Sequence, residues 1–381
     1  MRKICLLLFV ILLAACDYSK DRIFIEAESF RDYGGWVNDA QFIDQMGSPY
    51  LMAHGSGIPV EDAETDFHVS EAGDYFIYLR TFNWVAPFGV EPAPGKYEVL
   101  VDNQAIDKIF GDAPDQWGWV SGGHVQLEEG KHRLALHDLT GFNGRVDAIF
   151  LSREEYPLLP DNPRKLFLLR TKTGAIPNKE IDHGEYDIVV VGGGIAGISA
   201  AVSSARLGLK TALIQNRPVL GGNNSSEVRV HLVGSVETNL YPALGNVVRS
   251  VDDHHPPNAA EAERFMDDLK LKVVSSEPNI DLFLNMHMNW VEAKNGSINR
   301  IFAIDTRTGE RHIFEGRYFA DCTGDGTLGY LAGADYRYGR ESREETGEPG
   351  APEVADSLTM GSSNLWRTVK LDSASTFPEC P

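Results

Sequence analysis

Three glycines have the spacing of a nucleotide-binding turn. Gly192, Gly194 and Gly197 follow the apolar run YDIVVV at residues 186–191, and small residues at helical spacing precede a second apolar run at 210–215. In a strand–turn–helix–strand unit, the first glycine permits the tight turn, the second lets the backbone approach a pyrophosphate, and the third allows close helix–strand packing. The pattern predicts a βαβ unit that holds the phosphates of a dinucleotide at the helix N-terminus.

The second strand of this unit ends at Gln215, where an acidic residue ordinarily binds a ribose hydroxyl. A hydrogen bond to a neutral group contributes about 0.5–1.5 kcal/mol, against about 1.5–3 kcal/mol for a bond to a charged group. We therefore expect Gln215 to bind ribose more weakly than an acid would, and Asn216 could share the contact. These residues by themselves leave both FAD and NAD open.

Two later motifs carry a family resemblance. The segment PVLGG at 218–222 resembles the GG turn of FAD-dependent oxidoreductases of the glutathione-reductase and fumarate-reductase type, and ADCTGDG at 320–326 resembles their ATG motif. With the first turn, the likeness extends over about residues 185–340 and implies FAD as the cofactor. It is closest to flavoenzymes exported by Bacteroidetes-like bacteria. The further cofactor-binding residues that it implies are Gly221, Gly222, Thr323, Gly324 and Asp325.

The resemblance also indicates the chemistry. Flavin enzymes take up a hydride on the cofactor, while the protein positions the substrate and supplies a base. Within EVRVHL, His231 is the candidate base, and Arg229, expected on the same strand face, could stabilise an anionic reduced flavin or a substrate oxygen. A purely structural role for His231 is the alternative. Because family members have a substrate domain and a closing strand after the ATG motif, we expect the FAD-binding domain at 185–381 to be incomplete at its C-terminus.

The first residues predict export. Arg2 and Lys3 precede a short apolar run that ends in Leu-Ala-Ala-Cys, which resembles the lipobox of bacterial lipoproteins. The resemblance implies a signal peptide at 1–16, lipidation of Cys16, and a place in the cell envelope, at the outer membrane or the periplasmic face. The membrane would be reached through this anchor only. An ordinary cleaved signal is the alternative.

Residues 17–155 have the pattern of an all-β module. Short alternating stretches such as DYFIYLRTF, KYEVLVDNQ and HRLALHDL are separated by Gly, Pro, Asn and Asp, which predicts an antiparallel sandwich of jelly-roll type. Residues 156–184 hold four prolines and little apolar periodicity, so we expect a linker or connector there. The predicted protein is therefore multidomain: a β-sandwich followed by a Rossmann-like α/β domain.

The β module resembles carbohydrate-binding modules of families 6 and 35, through IEAES, EAGDYFIYLRT and GRVDAIFLS. The resemblance implies a structural calcium ion on Glu26, Glu28 and Asp147, with solvated surface acids as the alternative. Aromatic rings near Gly or Pro are candidate sugar platforms, and two of the four are expected to be core residues. These candidates are Trp36, Trp84, Trp117 and Trp119.

Composition narrows the functional classes. The formal net charge of −20 argues against nucleic acid as a partner, since binding to it needs a basic surface. Without a CxxC motif or Cys/His spacing, zinc and iron–sulfur sites are not expected, and Cys322 and Cys380 are the remaining candidates for a disulfide.

The sequence thus predicts an exported FAD-dependent oxidoreductase that oxidises a carbohydrate or related alcohol, with a small molecule or glycan as its partner. Two alternatives stay open. One is a non-catalytic, carbohydrate-binding surface lipoprotein, and the other is a flavoenzyme with a non-sugar substrate and a structural β module.

Overall fold

The chain forms two compact units. The structure, a computed structural model, describes residues 22–234, 240–252, 256–360, 370 and 372–373. One unit comprises Met1–Asp182 with Ile304–His312, and the other His183–Ala303 with Ile313–Pro381. The predicted lipidation site Cys16 and the candidate disulfide partner Cys380 lie outside the described residues. Within those residues, no helix has the length and apolar character needed to cross a membrane.

The N-terminal unit is a β-sandwich, as predicted. Its strands are β1 Arg22–Glu26, β2 Trp36–Asp39, β3 Tyr50–His54, β4 Ala63–Val69, β5 Gly73–Thr81, β6 Tyr97–Val101, β7 Gln104–Phe110, β8 Gly118–Leu127, β9 Gly130–Asp138 and β10 Phe142–Ser152, with the short helix α1 at Ile43–Met46. One sheet has the order β2-β3-β10-β5-β8, with β1 also paired to β10, and the other has the order β4-β9-β6-β7. The pairings of β10 with β1, β3 and β5 are antiparallel, so β10 lies at the centre of its sheet.

The sandwich core follows from the alternation in its strands. Tyr75, Ile77 and Leu79 of β5 are fully buried, and they share one hydrophobic cluster with Val99 of β6 and Leu134 of β9. Side chains two residues apart point to the same face of a strand, which places these residues between the two sheets. Each buried aliphatic side chain of this kind contributes about 1.5–3 kcal/mol.

The region expected to be a linker contains a helix, α2, at Pro163–Thr173. The Asn162 side chain caps it by accepting hydrogen bonds from the next two free backbone N–H groups, and Gly174 ends it in the left-handed conformation at φ 76°. Leu169 is buried in a cluster with Phe24 and Phe150 of the sandwich. The sequence did not predict this helix because its only apolar run, LFLLR, is short and lies among prolines.

The C-terminal unit has a Rossmann-like α/β fold, as predicted. Its strands are β11 Glu180–Val191, β12 Thr211–Ile214, β13 Ile280–Phe283, β14 Met286–Lys294, β15 Ser297–Asp305 and β16 Arg311–Asp321, and its helices are α3 Ile195–Arg206, α4 Gly245–Val251, α5 Asp267–Ser275, α6 Thr327–Leu331 and α7 Arg343–Thr346. The sheet order is β13-β12-β11-β16-β15-β14. The first two pairings, β11 with β12 and β12 with β13, are parallel.

Both faces of the parallel strands are buried. Val190 and Leu213 pack with Ile198 of α3, whereas Val189 and Ile214 belong to a separate cluster on the other face. A strand covered on both faces needs a continuous apolar run, and YDIVVV supplies one. This packing fixes the end of β11, and with it the start of the glycine turn.

Candidate cofactor site

Two glycines of the turn are required by packing. A Cβ atom on Gly192, whose φ is +104°, would lie 2.1 Å from the carbonyl oxygen of Cys322. A Cβ on Gly197 would lie 1.7 Å from the carbonyl oxygen of Gly192. Real Cβ atoms do not approach backbone oxygens this closely, so neither position can carry a side chain while β11, α3 and the turn after β16 stay together.

Gly194 has open space where a side chain would be. It is the N-cap residue of α3, with an ordinary φ of −67° and no side-chain cap on the helix. A Cβ added there would meet a single neighbour within 4 Å, the Cα atom of Gly222 at 3.9 Å. The first N–H groups of a helix and its dipole attract an anion, and the missing side chain lets that anion come close. This cradle fits the diphosphate of a dinucleotide.

The GG turn forms one wall of the cradle. Gly221 N–H donates to the Gly193 carbonyl at 2.8 Å, and Gly194 and Gly221 form a parallel bridge. Both glycines of the turn have positive φ, +117° at Gly221 and +59° at Gly222. Lys270, which the sequence analysis did not single out, lies beneath this turn. A Cβ on Gly221 would lie 2.9 Å from Cε of Lys270, whose side chain is 0% exposed. Desolvation lowers the pKa of this lysine.

Gln215 does not present its amide to a ribose. Its Oε1 accepts a hydrogen bond from Gly193 N–H at 2.8 Å, and its Nε2 donates to the Val219 carbonyl at 3.0 Å. The residue is 5% exposed. Both polar ends of the side chain thus brace the glycine turn, which explains why an amide, with a donor and an acceptor, replaces a carboxylate here. The exposed neighbour Asn216 is left as the candidate for the ribose contact.

The ATG-like segment follows β16 beside the glycine turn. Cys322 N–H donates to the Val191 carbonyl at 2.8 Å, which joins the two strand ends. Thr323 Oγ1 donates to Asp321 Oδ1 at 2.7 Å and accepts from Thr327 N–H at 3.0 Å, so its hydroxyl closes the turn into α6. Gly324 and Asp325 are exposed. The predicted cofactor residues of three separate segments therefore meet at the carboxyl end of β11, where α/β folds bind ligands.

Comparison with known proteins agrees with this geometry. Residues 187–376, about half of the chain, match the family model described as FAD dependent oxidoreductase. The C-terminal unit carries an FAD-dependent oxidoreductase domain. A dihydrolipoyl dehydrogenase of Trypanosoma brucei brucei is 60% identical over 37 residues, which are 10% of this chain and 8% of that protein. The chain thus spans less than a tenth of the length of this curated relative.

Solved structures resemble parts of the chain. The flavin-dependent monooxygenase PieE, solved with FAD and substrate, is 17% identical, with 36% of this chain and 30% of that chain covered and a TM-score of 0.28. A family 35 carbohydrate binding module from Clostridium thermocellum is 15% identical, with 34% of this chain and 96% of that chain covered and a TM-score of 0.28.

The candidate catalytic pair of the FAD-dependent oxidoreductase domain is not arranged as expected. Residues 226–234 form turns and coil, so Arg229 and His231 do not share a strand face. Arg229 is exposed with φ +60°, and its backbone bonds to Ser225 and Ala259 hold this strained turn. His231 contacts Asn258 Oδ1 through both its backbone N–H and its Nδ1. The alternation in EVRVHL suggested a strand, but the chain forms a turn at Arg229, so the two side chains are not arranged as they would be on one strand face. A catalytic role for either residue stays a prediction.

In the sandwich, two of the four candidate tryptophans are packed. Trp36 is 3% exposed and meets the Tyr97 ring edge to face at 5.7 Å. Trp119 meets the Phe24 ring at 5.9 Å, and its Nε1 donates to the Pro160 carbonyl at 3.1 Å. Trp36 is therefore a core residue, and Trp119 is partly buried against Phe24.

The other two tryptophans belong to a partly exposed aromatic cluster. Trp84 stacks on Phe142, which is 40% exposed, at a centroid distance of 5.9 Å and an angle of 21°. Trp117 lies 4.9 Å from the Tyr50 ring. The Arg145 guanidinium lies 5.5 Å from the centre of the Trp84 ring, at cation–π distance. The cluster therefore combines partly exposed aromatic rings with a buried guanidinium, and aromatic faces are the surfaces on which sugar rings stack.

The predicted calcium ligands converge, but not around a site for a metal. Glu26, Glu28 and Asp147 are each at most 2% exposed, and the Arg170 guanidinium from α2 lies against the first and third. Across the part of the chain that the structure describes, no group of three His, Cys, Asp or Glu side chains has metal-holding geometry. The arrangement does not fit calcium, because a cation of the chain already contacts the carboxylates.

Burial changes the acidity of these carboxyl groups. Desolvation raises the pKa of Glu26 to about 7, although the Arg170 guanidinium opposes the rise. Desolvation and the nearby Glu26 carboxylate raise the pKa of Glu28 well above its ordinary value. A proton on one of these groups reduces the buried charge that the pocket must balance.

Proposed function

We propose that this protein is an FAD-dependent oxidoreductase that oxidises a carbohydrate or related alcohol. The observation that carries the proposal is the open cradle at Gly194. The helix there starts without a side-chain cap, and a Cβ would meet only the Gly222 Cα at 3.9 Å, inside a domain that matches FAD dependent oxidoreductases. Gly193 and Gln215 hold this cradle in shape through the 2.8 Å hydrogen bond between them.

The residues suggest how the reaction proceeds. Bound FAD supplies the acceptor for the hydride that leaves the carbinol carbon. The hydroxyl proton must go to a base, and His231 is our candidate because its Nδ1 is held by Asn258, a contact that orients the ring. The product is a carbonyl compound, because the alcohol has lost a hydride and a proton, which together are two electrons and two protons.

The aromatic cluster of the sandwich supports the choice of a carbohydrate. Sugar rings stack on aromatic faces, and Trp84, Trp117 and Phe142 are all partly exposed. We propose that this cluster binds glycan and thereby brings the enzyme to its substrate. We also propose that the protein is exported and anchored through lipid on Cys16, which metabolic labelling with an alkyne fatty acid would test against Cys16→Ser.

Purification tests the flavin proposal first. The chain should carry the visible absorbance of oxidised flavin, or acquire it when FAD is added, and FAD should be released on denaturation. Anaerobic addition of candidate sugars and sugar alcohols should bleach that absorbance. A chain that folds but takes up no FAD would refute the enzyme proposal.

Glycan binding tests the substrate class separately. The chain and its Trp84→Ala variant should be compared on a glycan array, with Tyr156→Ala, a change at an exposed aromatic residue outside the cluster, as the control. Flavin bleaching without any glycan binding would favour a flavoenzyme with a non-sugar substrate. Glycan binding by a chain that cannot take up FAD would favour a non-catalytic binding protein.

A further inference from the structure

A buried acidic pocket in the N-terminal unit is filled by a side chain from outside the sandwich strands. Glu26 ends β1, Glu28 follows it, and Asp147 lies in the middle of β10. Arg170 comes from α2 and is 1% exposed, while Arg80 of β5 is 2% exposed. Burying charges of this kind is costly unless each has a partner.

The Arg170 guanidinium uses all three of its nitrogens. Nη1 donates to the Met46 carbonyl at 2.9 Å, and Nη2 donates to Ser48 Oγ at 2.6 Å. Nη2 also lies 3.2 and 3.3 Å from the two Asp147 oxygens, and Nε lies 2.6 Å from Glu26 Oε1. Such a planar fork of donors matches several oxygens at once, which an ammonium group does not.

The helix fixes the position of this cation. Leu166, Leu169 and Arg170 are its buried residues, and their spacing places them on one face. Leu169 packs with Phe24 and Phe150 of the sandwich. The helix face that makes this apolar contact therefore also places the Arg170 guanidinium in the acidic pocket. Arg80 Nη1 donates to Asp147 Oδ2 at 2.9 Å and supplies the second positive charge.

We propose that Arg170 is the resident cation of this pocket in place of a divalent metal, and that the sandwich with α2 is therefore stable without calcium. Calcium needs about six to eight oxygen ligands at about 2.3–2.6 Å. Here two nitrogens of one guanidinium occupy that space, with Nε 2.6 Å from Glu26 and Nη2 within 3.3 Å of Asp147. Both oxygens of Glu28 lack a hydrogen-bond partner, so removing Arg170 would leave an oxygen-rich cavity. The pocket is a latent calcium site that the chain itself has closed.

Thermal unfolding of the full chain, followed by tryptophan fluorescence, tests this directly. The wild-type midpoint should be the same in EDTA and in millimolar CaCl₂. Arg170→Ala should lower the midpoint by about 10 °C in EDTA, because it removes the cation beside Glu26 and one of the two cations beside Asp147. Calcium should then raise the midpoint of this variant by several degrees, since a ligand that binds only the folded state stabilises it.

Matched variants test whether the effect of calcium on the thermal midpoint arises in this pocket. Arg164→Ala, at an exposed position of the same helix, should behave as wild type, and Arg170→Ala with Asp147→Asn should lose the response to calcium. Arg170→Gln retains part of the side-chain volume without the charge and replaces Arg170→Ala if the latter does not fold. Calcium-dependent stabilisation of the wild-type sandwich would overturn the proposal, as would indifference to calcium in a folded Arg170 variant.

Discussion

Gly194→Ala separates cofactor binding from folding. The added methyl group would have its nearest neighbour, Gly222 Cα, at 3.9 Å, and the backbone at φ −67° and ψ 179° accepts alanine. Alanine is a poorer N-cap than glycine, so we expect a loss of about 1 kcal/mol of stability. The same methyl group would project into the space that the diphosphate requires. Overpacking typically costs about 1–3 kcal/mol, which corresponds to about 5-fold to 150-fold weaker FAD binding.

Two measurements on the same protein test this prediction. FAD binding to the apoprotein is followed by quenching of flavin fluorescence, and folding by the thermal midpoint in the absence of FAD. Gly350→Ala is the matched control, because Gly350 is exposed and has no atom within 4 Å of an added Cβ. Wild-type FAD affinity in a folded Gly194→Ala protein would show that the diphosphate does not lie at this cradle, and would refute the reasoning.

Three further predictions follow from burial. Gly197→Ala should abolish folding of the C-terminal unit with or without FAD, because the methyl carbon would lie 1.7 Å from the Gly192 carbonyl oxygen; circular dichroism and limited proteolysis check this, and a stable variant would contradict it. Trp84→Ala should weaken glycan affinity about tenfold and destabilise the sandwich less than Trp36→Ala, which at a 3% exposed position should cost about 3–5 kcal/mol in denaturant unfolding. Because burial raises the pKa of Glu26 from 4.5 to about 7, the unfolded state loses this proton first, so its contribution to stability should be full below pH 4.5 and fall as the pH rises to about 7. Unfolding free energies across that range should fall less in Glu26→Gln, and an equal fall would show that other groups are responsible.

Local patterns predicted most of the fold. The alternation in stretches such as DYFIYLRTF predicted strands of a sandwich, and the structure buries Tyr75, Ile77 and Leu79 of that stretch. The continuous run YDIVVV predicted a buried strand before the glycines. These predictions succeed because side-chain periodicity and burial are set within one element. The α2 helix was missed because it depends on one short apolar run and a single cap at Asn162.

The site was predicted less completely than the fold. Spacing identified the glycines because all three lie within six consecutive residues of one turn, although the contact that requires Gly192 comes from Cys322 in a distant segment. It gave the wrong arrangement for Arg229 and His231, because a left-handed residue breaks the alternation in that segment. It also assigned Gln215 to a ligand, whereas both ends of its amide bind the backbone of neighbouring turns.

The sequence by itself determined two folds, a β-sandwich and a Rossmann-like α/β domain with a dinucleotide-binding turn. It could do so because alternation, apolar runs and glycine spacing are local properties of the chain. Only the tertiary structure decided which cation fills the acidic pocket. Arg170 bonds to Met46, 124 positions away, and no local pattern relates two such residues. Their meeting depends on how α2 packs on the sandwich, and the free energy of pairing buried charges then assigns the guanidinium to the place where a metal was expected.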